Sequence, residues 1–162
     1  MNIAFIGIGS NIGDRERNCL EAIRLLQQTG AGKVLSRSSL HHTPPYGFEE
    51  QDWFFNAAVK METPLSPLDL FGALKSIEKD MGRQAGFRWG PRIIDLDLLF
   101  YNALVMESDE LTLPHPGIEK RRFVLEPLAE LDPEWTHPRL LKNIAELLRE
   151  LGPESKEEAL AA

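Results

Sequence analysis

Ile94-Asp95-Leu96-Asp97-Leu98-Leu99-Phe100 reads as a strand, and that reading decides the fold. Side chains alternate faces along a strand, so Asp95 and Asp97 point the same way, roughly 6–7 Å apart along the backbone. Ile94, Leu96, Leu98 and Phe100 take the opposite face and are expected to anchor the strand in a core. Two like charges side by side are costly unless a cation sits between them. Magnesium, which takes a few carboxylates plus substrate phosphate oxygens, meets that need. A solvated acidic face would explain the Asp pair alone equally well. The residues before the strand shift the balance. Trp89-Gly90-Pro91-Arg92 sets a rigid turn and a guanidinium against the carboxylates, and Arg83 and Arg88 lie shortly upstream. Cations and carboxylates converging there suit a metal–polyphosphate complex.

Outward from this strand, the chain alternates strand and helix signals. Ile3 to Ile8 is an apolar run stopped by Gly7, Gly9 and Ser10, a buried first strand leading into a tight turn. Asp14 can cap a helix with apolar positions at Leu20, Ile23 and Leu26, ending before Gly30 and Gly32. Lys33 to Leu40 suits a second strand, and His41 to Asp52, with paired prolines, a loop. Phe54 to Met61 reads as a third strand. Ser66-Pro67-Leu68-Asp69 opens a second helix with Leu70, Leu74, Ile77 and Met81 at helical spacing until Gly82. The order strand, helix, strand, strand, helix, strand predicts an α+β split βαβ arrangement, an antiparallel sheet with helices on one face. That order names a fold class and no activity.

After the Asp95/Asp97 strand, Leu104 to Leu113 suits a small hairpin, and Pro114-His115-Pro116-Gly117 a rigid turn. Leu140, Leu141, Ile144, Leu147, Leu148 and Leu151 mark a last amphipathic helix. One domain over 1–151 is expected, with 152–162 a frayed tail.

The net charge of −7 opposes bulk binding to nucleic acid or anionic membrane. Cys19 is alone, which excludes an intrachain disulfide and a cysteine zinc cluster. With no secretory signal or apolar run of membrane-spanning length, a cytoplasmic protein is expected.

Gly7-Ile8-Gly9-Ser10-Asn11-Ile12-Gly13 invites a dinucleotide-binding reading, but the third glycine of that fingerprint is due where Ile12 stands. The next strand ends in His41-His42 rather than an acid. A tight turn, or backbone approaching a ligand, is the better reading. Thr43-Pro44-Pro45-Tyr46-Gly47 is a stiff loop. Beside it, Trp53, Phe54, Phe55 and Asn56 offer aromatic faces and an amide suited to a flat heterocycle. Phe54 and Asn56 share one face, Trp53 and Phe55 the other. Lys120, Arg121 and Arg122 follow His115 and form a second basic segment in an acidic protein, which favours a small polyanionic ligand.

Together these residues resemble the 6-hydroxymethyl-7,8-dihydropterin pyrophosphokinase family of folate biosynthesis. The resemblance runs from about Ile3 to about Leu131. It rests on Gly9-Ser10-Asn11 with Gly13, Thr43-Pro44-Pro45, Phe55-Asn56-Ala57-Ala58 and Gly90-Pro91-Arg92-Ile93-Ile94-Asp95-Leu96-Asp97. Leu113-Pro114-His115-Pro116 and Arg121-Arg122-Phe123 complete it.

The resemblance implies a ferredoxin-like fold with a small C-terminal extension, and a monomer is therefore the expected form of the chain. It implies transfer of pyrophosphate from ATP to a pterin alcohol, with AMP released and two magnesium ions bound. By matching position, Asp95 and Asp97 would hold the metals, and Arg83 and Arg92 the phosphates. Thr43, Pro44, Tyr46, Asn56 and Phe123 would frame the pterin. Glu78, Arg88, Leu98, Thr112, His115 and Arg121 would contact ATP. The chain departs from the family pattern at Phe54, where a tyrosine is frequent, at Lys75, where a glutamine often stands, and at Pro116.

Two readings of other classes fit the same fold. A non-catalytic regulatory module that binds small molecules would not need two aspartates facing an arginine loop. An RNA-binding module would want a basic sheet surface.

Overall fold

The structure is a computed structural model that describes residues 1–43, 53–82 and 93–152. Its principal sheet is antiparallel, built from β1 (Asn2–Ser10), β2 (Lys33–Arg37), β3 (His41–Thr43), β4 (Phe54–Thr63) and β5 (Asp95–Tyr101). The strand order is β2-β4-β1-β5, with β3 on the far part of β4. β1 is central because its apolar residues are buried on both faces: Phe5 on one, Ala4, Ile6 and Ile8 on the other. It does not stop at Gly7 but pairs through Gly7 and Gly9 to Ser10, and the turn comes after.

α1 (Arg15–Gln28) is capped by Asp14, whose side chain accepts from the Arg17 amide. Its buried stripe is Cys19, Ala22, Ile23 and Leu26. Leu20, expected on that stripe, is exposed, because one residue past Cys19 turns it about 100° away. Burial, with the Glu16 carboxylate adding, pushes the Cys19 thiol up to about 12, so it is an inert core group. α2 (Pro67–Asp80) follows the Ser66 cap, buries Leu70, Leu74, Ile77 and Glu78, and ends at Gly82 with φ 86. Both helices pack on the Ile6, Val59, Met61 and Leu96 face.

The expected single strand 33–40 is broken. Ser38 is buried, and its Oγ accepts the Ala58 amide at 2.9 Å while its own amide donates to Ala58 O. The side chain thus supplies a ladder bond, and pairing resumes at His41, so three residues expected in the loop are strand.

β5 also departs from simple alternation. Ile6 pairs with Leu98 but Phe5 with Phe100, leaving Leu99 as an extra residue. Leu98 and Tyr101 lie with α1 and α2, whereas Leu99 and Phe100 lie on the opposite face. Phe100 therefore does not share a face with Leu96 and Leu98: the bulge resets the alternation.

β6 (Met106–Glu107) and β7 (Thr112–Leu113) form the expected hairpin, and a 3-10 turn spans Ile118–Lys120. α3 (Arg122–Leu131) follows, then the hairpin of β8 (Thr136–His137) and β9 (Lys142–Asn143), and α4 (Ile144–Leu151). Asn143 and Glu146 form a capping box that starts α4. Leu140 and Leu141 fall in the β8–β9 turn instead of the helix, Leu141 at φ 58 and exposed. α3 and α4 cover Phe5, Ala58, Leu99 and Phe100, so helices lie on both faces of the sheet rather than one. None of the described helices is long and apolar enough to cross a membrane.

Candidate active site

Asp95 and Asp97 project from the face that carries α3 and α4, but at the other end of the strand. Directly paired residues point to the same side of a sheet, so the register defines rows across it. One row reads His41, Asn56, Gly9, Asp95, and the next Ala58, Gly7, Asp97. Thr43 and Phe54 make the row beyond Asn56. Between the asparagine and the aspartates, β1 presents bare backbone. A Cβ on Gly9 would lie 2.9 Å from Asn56 Oδ1 and 3.5 Å from the Phe54 ring. On Gly7 it would meet Leu99 Cδ1 at 3.4 Å. The glycines are thus the floor of the site, which fits the reading of backbone open to a ligand rather than that of a tight turn.

On one side of the floor, Asn56 Nδ2 donates to Thr43 Oγ1, which fixes the orientation of the amide. Phe54 and Asn56 are the pair on the site face. Phe55 packs towards the α1 side, stacked on His42, with Arg15 over its ring. Phe123 is the second residue of α3, which packs on β4 and β3.

On the other side, a cavity of about 210 Å³ opens between β5 and the β6–β7 hairpin. Asp97, Leu98, Thr112 and His115 line it together, with Phe71 and Pro116. The His115 amide donates to the carbonyl of the bulged Leu99 at 3.0 Å, and Nδ1 hydrogen-bonds Pro116 O at 2.9 Å. Arg121 lies over Gly117, where a Cβ would stand 3.4 Å from Nε, and φ 86 also calls for glycine.

Glu78 is placed differently from its neighbours in the sequence reading. It is buried, Oε2 accepts the Leu96 amide at 2.8 Å, and Oε1 pairs with Lys75 Nζ at 3.1 Å. It is absent from the cavity lining and ties α2 to the strand between the two aspartates. Pro44, Tyr46, Arg83, Arg88 and Arg92 lie outside the described residues.

Among the described residues no group of three or more His, Cys, Asp or Glu could hold a metal ion. Two carboxylates on one face fit magnesium nonetheless, since that ion usually fills its remaining positions with water and phosphate oxygens.

The sequence profile of the 7,8-dihydro-6-hydroxymethylpterin-pyrophosphokinase (HPPK) family matches residues 5–133. A 2-amino-4-hydroxy-6-hydroxymethyldihydropteridine pyrophosphokinase of Bacillus subtilis is 46% identical over 130 residues, 80% of this chain and 78% of that protein. The mitochondrial folate synthesis bifunctional protein of Pisum sativum is 48% identical over 126 residues, 78% of this chain but 24% of its own length. Among solved structures, a wild-type HPPK-DHPS of Plasmodium falciparum superposes with TM-score 0.71 at 19% identity, over 93% of this chain and 43% of that one. The chain thus spans under half of that structure, and the likeness shows the shared α+β ferredoxin-like fold.

Proposed function

The chain belongs to the 7,8-dihydro-6-hydroxymethylpterin-pyrophosphokinase family and is a pyrophosphokinase, and we propose that it transfers pyrophosphate from ATP to 6-hydroxymethyl-7,8-dihydropterin through Asp95 and Asp97. The observation that carries this reading is the row Asn56, Gly9, Asp95. It joins a heterocycle-reading amide to a metal-type carboxylate across a floor without side chains.

Asn56, held by Thr43, reads the polar edge of the pterin, with Phe123 against its ring. By their place in the family pattern, Pro44 and Tyr46 also bind the pterin. The triphosphate lies towards the cavity, where Leu98, Thr112 and His115 take the nucleotide; Arg121 and, by its place in the family pattern, Arg88 balance its charge. Asp95 and Asp97 would hold two magnesium ions, which would supply charge neutralisation of the phosphates. The floor would position the hydroxymethyl oxygen for attack on the β-phosphorus, with AMP as the leaving group. Arg83 and Arg92 stabilise the charge developing on the transferred group and on AMP. Glu78 serves ATP indirectly, by setting the strand that carries both aspartates.

The test is turnover with magnesium, ATP and the pterin, with AMP separated from ADP. AMP formed only in the presence of the pterin is the expected result. ADP would mean transfer of a single phosphoryl group, and no nucleotide product would overturn the reading.

A further inference from the structure

His41 stands at the end of the row that crosses the site, paired with Asn56. Its ring turns to α3. Nε2 hydrogen-bonds Glu130 Oε2, and Nδ1 lies 3.7 Å from Glu126 Oε2. Ser39 Oγ donates to Glu130 Oε1 at 2.7 Å and stands 3.4 Å from the same imidazole nitrogen. Arg122 Nη1 reaches Glu126 Oε1 at 3.3 Å. From β4 the ring faces the uncharged Asn56, and His42 points to the other side of the sheet, against Trp53 and Phe55.

Burial pushes the Glu130 carboxyl up, but hydrogen bonds from His41 and Ser39 outweigh it and hold the group below its ordinary range. A carboxylate can only accept, and a neutral imidazole has one N–H to give. The ring therefore bonds Glu130 through Nε2 and sets Nδ1 against Glu126 at 3.7 Å, an ionic contact beyond hydrogen-bond length. Glu126 and Glu130 are one helical turn apart, and Phe123 precedes Glu126 by three residues, so the three share one face of α3.

We propose that His41 is a positioning residue for the pterin. It clamps α3 to β3 through its hydrogen bond to Glu130 and its contact with Glu126, and so fixes the first turn of α3, with Phe123, beside Thr43 and Asn56. Loss of the ring loosens that turn. The inference rests on the pterin reading above, and its test separates the two.

Pterin KM, ATP KM and kcat are measured for wild type, His41→Gln and Glu130→Gln, and amide-exchange protection of residues 124–128 is followed in the same three proteins. Pterin KM should be about two- to fivefold higher in both variants than in wild type, the worth of a partly exposed ion pair. ATP KM and kcat should be the same in all three. Protection of the α3 amides should be lower in both variants. Equal pterin KM and equal protection in wild type and His41→Gln would overturn the clamp. If no protein makes AMP, the pyrophosphoryl reading fails instead, and the protection measurements still decide the clamp.

Discussion

Glu78 and Leu96 are joined by a hydrogen bond from a strand amide to a buried carboxylate, midway between Asp95 and Asp97. Among the described residues β5 is an edge strand paired with β1 alone, so this amide has no described ladder partner on its outer side and takes one from α2. Glu78→Ala is expected to cost about 1–3 kcal/mol in urea unfolding, the penalty for stranding a buried donor. Glu78→Gln keeps an acceptor and should lose less. Both should slow turnover mainly through kcat. A change confined to ATP KM would instead place the side chain on the nucleotide.

Asp97 is exposed at the mouth of the cavity, so its removal should leave the fold intact. Asp97→Ala is expected to shift stability by less than about 0.5 kcal/mol and to cut turnover by about 100-fold or more. Magnesium titrations of turnover check this. Wild-type rates in the variant would remove Asp97 from the metal site.

Gly9→Ala drives a Cβ to within 2.9 Å of Asn56 Oδ1. The amide must swing away from Thr43, which should raise pterin KM by about tenfold, the equivalent of one buried hydrogen bond. ATP KM should hold. Equal increases in both constants would mean that β1 itself had moved.

His137 is buried, and its Nδ1 accepts the Arg139 amide at 3.2 Å and the Leu140 amide at 3.1 Å. Burial holds its pKa below the ordinary value of 6.5, with Arg139 adding and Glu119 opposing. A base with a depressed folded-state pKa gives its full stability above the unfolded value and loses it as pH falls. Denaturant midpoints should therefore drop between about pH 7 and 5. His137→Asn, which offers an oxygen in place of Nδ1, should show a smaller drop.

Much of this was legible where local chemistry and tertiary need agree. Asp14 and Ser66 cap their helices as their side chains dictate. The alternation around Asp95 and Asp97 places both on one face. Features set by pairing across long sequence distances were not legible. The Leu99 bulge depends on how β1 aligns, and apolar residues on both sides hide the slip. The break at Ser38 depends on Ala58, twenty residues away. The resemblance expects Glu78 at ATP, and nothing local in its sequence signals its burial, which follows from the docking of β5. Leu140 and Leu141 continue the apolar spacing of α4, but Asn143 caps that helix and leaves them outside it.

Between Asn56 and Asp95 the ground beneath a ligand is peptide alone. A side chain there would have rotamers to freeze as a ring settled on it, at about 0.5–1.5 kcal/mol each. Gly7 and Gly9 have none, and each sits in a ladder bonded on both sides. Their conformational entropy is lost once, when the sheet forms, and not again with every molecule that binds.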